Sequence, residues 1–214
     1  MRSLGNYCSG VWCFINVILL TAASHEIDVC RPSSCNDHKD VDTFTDLCHQ
    51  HKGEVSGRCC IRQNSVTSED KQQIVGIDLR SCDGHTLDAL ESTQSIASDS
   101  PGHIKSHIEI LMLDGDILKT CNDALFEGMT QLNFLSLPAK CGCPGGTDAW
   151  ESSEIQHSIE TCRNKTDICV TQNVTCPKHS HCIVHSPGVT WCVCNKGHYG
   201  YKCLSRVSLN LSFF

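Results

Sequence analysis

Three short segments of the chain share one spacing of apolar residues. Ile74, Ile77 and Leu79 stand at the first, fourth and sixth places of a nine-residue frame that closes on Cys82. Ile108, Leu111 and Leu113 repeat the spacing, with Asp116 at the ninth place, and Leu132, Leu135 and Leu137 repeat it again. The last two apolar positions of each frame alternate with other residues, the period of a strand with one face turned inward. Three strands are therefore predicted, over 74–79, 108–113 and 132–137. The polar run from Glu91 to His107 separates the first two and reads as a loop. Phe126-Glu-Gly-Met129, just ahead of the third, reads as a turn on the outer side of the strands.

The frames begin at 74, 108 and 132, and the second interval falls in the range of leucine-rich repeats. The pattern predicts a short leucine-rich-repeat-like α/β stack over 74–140. Three repeats are about the minimum that buries a continuous core, and the ends of such a stack need caps. Cysteine-rich segments supply them at 25–73 and at 141–164. A concave face made by only three repeats offers a partner little area.

Cysteine use then fixes the compartment. The chain has 18 cysteines in 214 residues. Arg2, the apolar stretch Val11–Leu20 and Thr21-Ala-Ala-Ser24 have the layout of a signal peptide over 1–24, cut before His25. Cys8 and Cys13 leave with it, and the 16 cysteines that remain are an even number open to full pairing in an oxidising compartment. The formal charge of −7 gives no nucleic-acid footprint. No nucleophile elbow, zinc-protease motif or phosphate-cradling loop occurs, and oxidised cysteines are not nucleophiles. The chain is expected not to be an enzyme and to need no cofactor, metal or small-molecule substrate.

Six of the cysteines, Cys169, Cys176, Cys182, Cys192, Cys194 and Cys203, lie within 35 residues that hold few large apolar side chains. A segment this short cannot offset its chain entropy by burial, so covalent bridges must restrict its unfolded state. Six cysteines allow fifteen pairings, and spacing alone does not choose among them. His179, His181 and His185 beside Cys176 and Cys182 leave a zinc site as the competing reading. The same histidines form a candidate acid-sensitive surface, since a free imidazole titrates near pH 6.5.

The run Cys192-Val-Cys194-Asn-Lys-Gly197-His-Tyr-Gly200-Tyr-Lys-Cys203 resembles an EGF-like module, placed at 165–204. That resemblance implies the pairs Cys169–Cys182, Cys176–Cys192 and Cys194–Cys203. It also implies no calcium site: Asp167 alone precedes the first cysteine, and Val184 stands where a second oxygen ligand belongs. The fold class expected is thus a small disulfide-rich EGF-like module preceded by the repeat-like stack with its cysteine-rich caps. Pairings among Cys30, Cys35, Cys48, Cys59, Cys60, Cys82, Cys121, Cys141, Cys143 and Cys162 stay open, except that adjacent Cys59 and Cys60 are expected to take different partners.

Cys143-Pro-Gly-Gly-Thr-Asp-Ala-Trp150, followed by this module, closely resembles the all-trans retinoic acid-induced differentiation factor family. Arg58-Cys-Cys60 with Ile74-Val-Gly-Ile-Asp-Leu79 resembles the same family's amino-terminal half. The resemblance implies a type I membrane glycoprotein with an EGF-like module outside the membrane. It implies roles in cell differentiation and restraint of proliferation, lysosomal or perinuclear membranes, and companionship with a solute carrier. The chain as given lacks the anchor and reads as secreted or truncated; its tail over 205–214 turns apolar at Phe213 and Phe214 like the start of one.

The partner expected is a protein, either a membrane transporter or a secreted protein that binds EGF repeats, with Trp191, Tyr199 and Tyr201 as anchors. Packing of Trp191 and Tyr199 into the module's small core, and of Trp150 into the cap, is the competing expectation. The alternative function is a secreted growth-factor-type ligand. Those ligands carry Arg before the last cysteine, where Lys202 stands here, and an aromatic residue where His198 stands. Sequons mark Asn164 and Asn173 as glycan sites, with Asn210 too near the end to weigh. Expressed in a secretory host, the chain should lose the mass of two N-glycans on enzymatic deglycosylation, and of one in Asn173→Gln. An unchanged mass would refute this.

Overall fold

The computed structural model describes residues 30–31, 35, 41–64, 71–82, 104–113, 118 and 120–206. The signal peptide, most of the Glu91–His107 run, Asp116, Asn210 and the tail beyond Arg206 lie outside them.

Seven strands form one mixed sheet. They are β1 (Glu54–Ser56), β2 (Cys59–Asn64), β3 (Lys71–Asp78), β4 (Ile110–Met112), β5 (Phe134–Pro138), β6 (Trp150–Gln156) and β7 (Ile159–Lys165), in the order β1-β2-β3-β4-β5-β7-β6. The three central strands are the predicted ones. They run parallel, and Ile77, Leu111 and Leu135, the second apolar position of each frame, lie side by side in register. Antiparallel strands flank them on both sides, β2 before and β7 after. The segments expected to act as caps therefore extend the same hydrogen-bonded sheet.

The spacing of three between Ile74 and Ile77 has a local cause. Cys60 pairs with Gly76 and Ile61 with Ile74, so Val75 has no partner on β2 and the strand bulges there. The bulge turns Ile74 and Ile77 to the same side. Ile77, Leu79, Leu111, Leu113, Leu135 and Leu137 pack there with Ile108, Met129 and Leu132 in the larger core. Phe126 and Met129, from the predicted outer turn, are buried in it; Phe126 ends a 3-10 turn, Asp123–Phe126, that begins where the Asn122 side chain accepts from the Ala124 amide. The last four residues of the run read as a loop, Ile104–His107, instead form a helical turn, α2. Its Lys105 is buried and donates to the Leu125 carbonyl at 3.1 Å, which ties the turn over the core.

The opposite side of the sheet is also closed. Phe44, Leu47 and Cys48 lie at helical spacing on α1 (Val41–Gln50) and cover Val75, Ile110, Met112 and Phe134. An open concave face, which the repeat pattern alone would leave, is thus replaced by a second small core. Gly76 fits between Cys60 and Ile110, where a Cβ would lie 3.0–3.1 Å from both of their Cβ atoms. Arg62 and His51 meet Glu109 at 2.7 Å each, joining β2 and the end of α1 to the approach of β4. Arg80 and Asp78 pair in the sheet's interior at 2.8 Å.

Cys59 and Cys60 bond to different partners because neighbouring strand residues point to opposite faces. Cys59 joins Cys30 in the larger core, and Cys60 joins Cys48 of α1 in the smaller. Cys35 joins Cys82, Cys121 joins Cys141, and Cys143 joins Cys162 on β7. Leu111 sits fully buried in the middle strand of the parallel ladder. Leu111→Ala should lower unfolding free energy by about 2–5 kcal/mol, read as a fall in denaturant midpoint with disulfides intact. A loss below about 1 kcal/mol would mean that this strand is not the core's centre.

Candidate interaction surface on the carboxy-terminal module

The module follows β7 directly. Its first helical turn, α3 (Ile168–Thr171), starts where the Asp167 carboxylate accepts from the Cys169 amide at 3.1 Å. Hairpin strands β8 (Ser180–Ser186) and β9 (Val189–Cys194) follow, with Ser186 opposite Val189. Pro187 and Gly188 occupy the turn. Pro187 presets one negative φ, and Gly188 supplies the positive one, +76°. A smaller pair, β10 (His198–Tyr199) and β11 (Ser205–Arg206), closes the module. Cys169 pairs with Cys182, Cys176 with Cys192, and Cys194 with Cys203. Cys176 and Cys182 are therefore held in disulfides, which leaves neither as a thiolate beside the histidines. Among the described residues, no three metal-ligating side chains converge.

The motif Cys143-Pro-Gly-Gly-Thr-Asp-Ala-Trp150 is where the module meets the sheet. Cys143 is bonded to β7. Trp150, buried, donates its indole N–H to the Pro144 carbonyl at 2.9 Å and folds the segment back on itself. This turns Gly145, φ +76°, against the tip of the β8–β9 hairpin. Gly145 and Gly188 touch backbone to backbone: a Cβ on Gly145 would lie 2.6 Å from the Gly188 Cα. Ser186 and Pro187 are buried at the same contact. Within the sheet domain, Lys165 at the end of β7 donates from its ammonium to the Thr130 carbonyl. Burial there pushes the Lys165 pKa down, and the Asp167 carboxylate partly offsets the shift. The module is thus held on the sheet at a close-packed joint.

Held this way, the module exposes its aromatic residues. Trp191 is 48% exposed, Tyr199 54% and Tyr201 79%. Packing into a module core, the competing expectation, does not describe them. Trp191 has one ring partner, His185, stacked 3.5 Å away, and His185 lies 4.0 Å from Glu127 of the sheet domain. Val189 and Val193 flank Trp191 at alternate positions of β9 and are exposed with it. Tyr199 and Tyr201 sit apart from this stripe, on and just after β10, where Lys202 lies over the Tyr201 ring. The chain thus presents a hairpin stripe centred on Trp191 and a separate loop carrying two tyrosines.

The histidines do not act as one cluster. His181 bonds Asn195 at 2.8 Å, while His179 stacks on His198 with ring centres 4.1 Å apart. Partial burial, then the charges of His198, Lys178 and Arg206, push the His179 pKa down. Asn164 and Asn173 are both exposed; Asn164 donates to the Glu151 carboxylate across the β6–β7 hairpin at 2.9 Å. The Gly145–Gly188 joint and the His179–His198 pair went unread in the sequence. The doubled glycine after Cys143 and the Pro-Gly between two strand-like runs were the available signals.

The family described as "ATRAID-like, EGF domain" matches residues 176–205. Curated proteins named all-trans retinoic acid-induced differentiation factor align along much of the chain. The one from Danio rerio is 30% identical over 158 residues, which covers 72% of this chain and 62% of the relative. The one from Mus musculus is 29% identical over 170 residues, covering 78% and 68%. The one from Homo sapiens is 30% identical over 168 residues, covering 75% and 63%. The chain spans less than two thirds of the fish and human relatives. No solved structure matches it.

Gly188→Val adds a branched side chain at a positive φ and drives it into Gly145. It should cost about 1–3 kcal/mol in local stability, seen as faster amide exchange at the Gly145–Gly146 turn and the hairpin tip, with the β3–β5 ladder unchanged. Unchanged exchange at both turns would show that the joint is not a tight contact.

Proposed function

Because the chain belongs to the all-trans retinoic acid-induced differentiation factor family, we propose that it is a non-enzymatic interaction protein of the secretory pathway that acts in control of cell differentiation and proliferation. The observation that carries this reading is the fixed display of exposed aromatic side chains on a disulfide-framed module. Rigid aromatic residues lose little entropy on contact and dominate interface energetics. Trp191, stiffened by the His185 stack, is the central anchor, with Tyr199 and Tyr201 as a second point of contact. The closed second face of the sheet supports the module, and not the strands, as the binding element.

The eight disulfides suit an oxidising compartment. Among the described residues, no helix is long and apolar enough to cross a membrane. The partner in this reading is a protein, and a membrane transporter of the solute-carrier type is the first to test. The three parallel frames in register support a further reading of β3–β5 as a short repeat stack whose caps have merged into its sheet.

Purified full chain should bind cells that display such a carrier, and Trp191→Ala should weaken binding by roughly tenfold or more, the usual effect of losing an interface hot spot. Tyr199→Ala with Tyr201→Ala should weaken it less. Equal binding by all three proteins would sink the module-centred reading.

A further inference from the structure

Two tight turns of the module face each other. In the first, Ser180 donates its amide to the Pro177 carbonyl, and His179 has a positive φ of +67°. In the second, the His198 amide bonds the Asn195 carbonyl. No disulfide joins the segment 195–206 to the rest of the module except at its root, Cys194, since Cys203 bonds back to Cys194 itself. The outer part of this segment is therefore positioned by non-covalent contacts. Three cross from one turn to the other: the Asn195 amide to the His179 carbonyl at 2.8 Å, His181 Nδ1 to Asn195 Oδ1 at 2.8 Å, and the parallel stack of His179 on His198, 6° from coplanar.

We propose that the stacked His179–His198 pair is an acid-released clasp, which fixes the Tyr199–Tyr201 loop against the hairpin at neutral pH and frees it when the pair is protonated.

Three independent features of the geometry oppose charging the pair. The Nδ1 of His198 is buried and has no hydrogen-bond partner, so in the imidazolium, where both ring nitrogens carry protons, that N–H would point at no acceptor. His198 lies directly across the β10–β11 ladder from Arg206, and like charges in that position repel. The ring stacked upon it is His179, whose own turn carries Lys178. The charged and titratable groups around the clasp are thus Lys178 from the first turn, His179 and His198 themselves, His181 on β8, Lys196 in the second turn and Arg206 from β11. Among the described residues, no carboxylate acts on His179 to offset these cations. Asp167 is the one acid between residues 165 and 206, and it caps α3.

The sign follows from the direction of the His179 shift. Its folded-state pKa lies below that of a free imidazole, so neutral His179 contributes its full stabilisation above about pH 6.5. That contribution is lost as pH falls through the lowered folded value. The His181–Asn195 bond is different, because Nδ1 can donate to the amide oxygen whether or not the ring is charged. Acid should therefore release the outer loop, with Tyr199, Tyr201 and Leu204, while Asn195 and the hairpin stay in place.

Hydrogen exchange of the full, disulfide-intact chain, corrected for intrinsic rates, tests this. Opening of the 195–206 segment should rise severalfold between about pH 7.5 and about pH 5, while strands β8 and β9 do not change. His198→Phe and His179→Phe keep a flat ring in the stack and should abolish the rise. Arg206→Gln, by removing one cation that lowers the His179 value, should make the rise smaller. The proposal is overturned if the wild-type segment opens equally at both pH values, or if either Phe variant shows the wild-type rise. Should His198→Phe lose its native exchange pattern at neutral pH, His179→Phe decides alone.

Discussion

The stretch between Cys169 and Cys203 buries very little. Its hairpin stripe of Val189, Trp191 and Val193 is exposed, as are Tyr199 and Tyr201. Burial at ~25 cal/mol per Å² cannot hold such a segment against chain entropy, so three disulfides close its loops instead. The same constraint recurs in the first half, where Cys30–Cys59 and Cys48–Cys60 pin opposite faces of one strand. Freed from packing duty, the module's aromatic residues are available at the surface.

Two kinds of order meet in this chain. The sheet domain is organised by burial, with a parallel ladder closed on one side by Leu132, Met129 and Trp150 and on the other by α1. The module is organised by cross-links. Their junction is made of backbone: Gly145 and Gly188 touch where neither can carry a side chain. Such a joint has little freedom to slide, because any rotation brings main-chain atoms into collision. It fixes which face of the hairpin looks outward, and hence which residues a partner can reach.

Much of this was legible in advance, for reasons that differ by element. The repeated frame places Ile77, Leu111 and Leu135 on parallel strands in register, since side-chain alternation and a common spacing both survive into the sheet. The bulge at Val75 was not legible, since the same three-residue step opens all three frames and only the pairing with β2 makes a bulge of it. The polar run ahead of Ile108 misled, because Lys105 buries its stem and finds a carbonyl, a partner that lies 20 residues away in sequence. Covering of the second face was invisible, since it depends on Phe44 and Cys48 arriving from a helix far from the ladder.

The sequence by itself determined what local spacing can encode: the parallel strands, the cysteine frame and the glycosylation sequons, and its motifs carried the family resemblance. Tertiary structure alone decided what depends on groups distant in the chain. It paired the ten remaining cysteines, because Cα separation and side-chain direction select partners that spacing cannot. It turned Trp191 outward against His185, and it stacked His179 on His198 beside Arg206. Burial, exposure and charge repulsion are properties of neighbourhoods, and these neighbourhoods exist only once Gly145 has met Gly188.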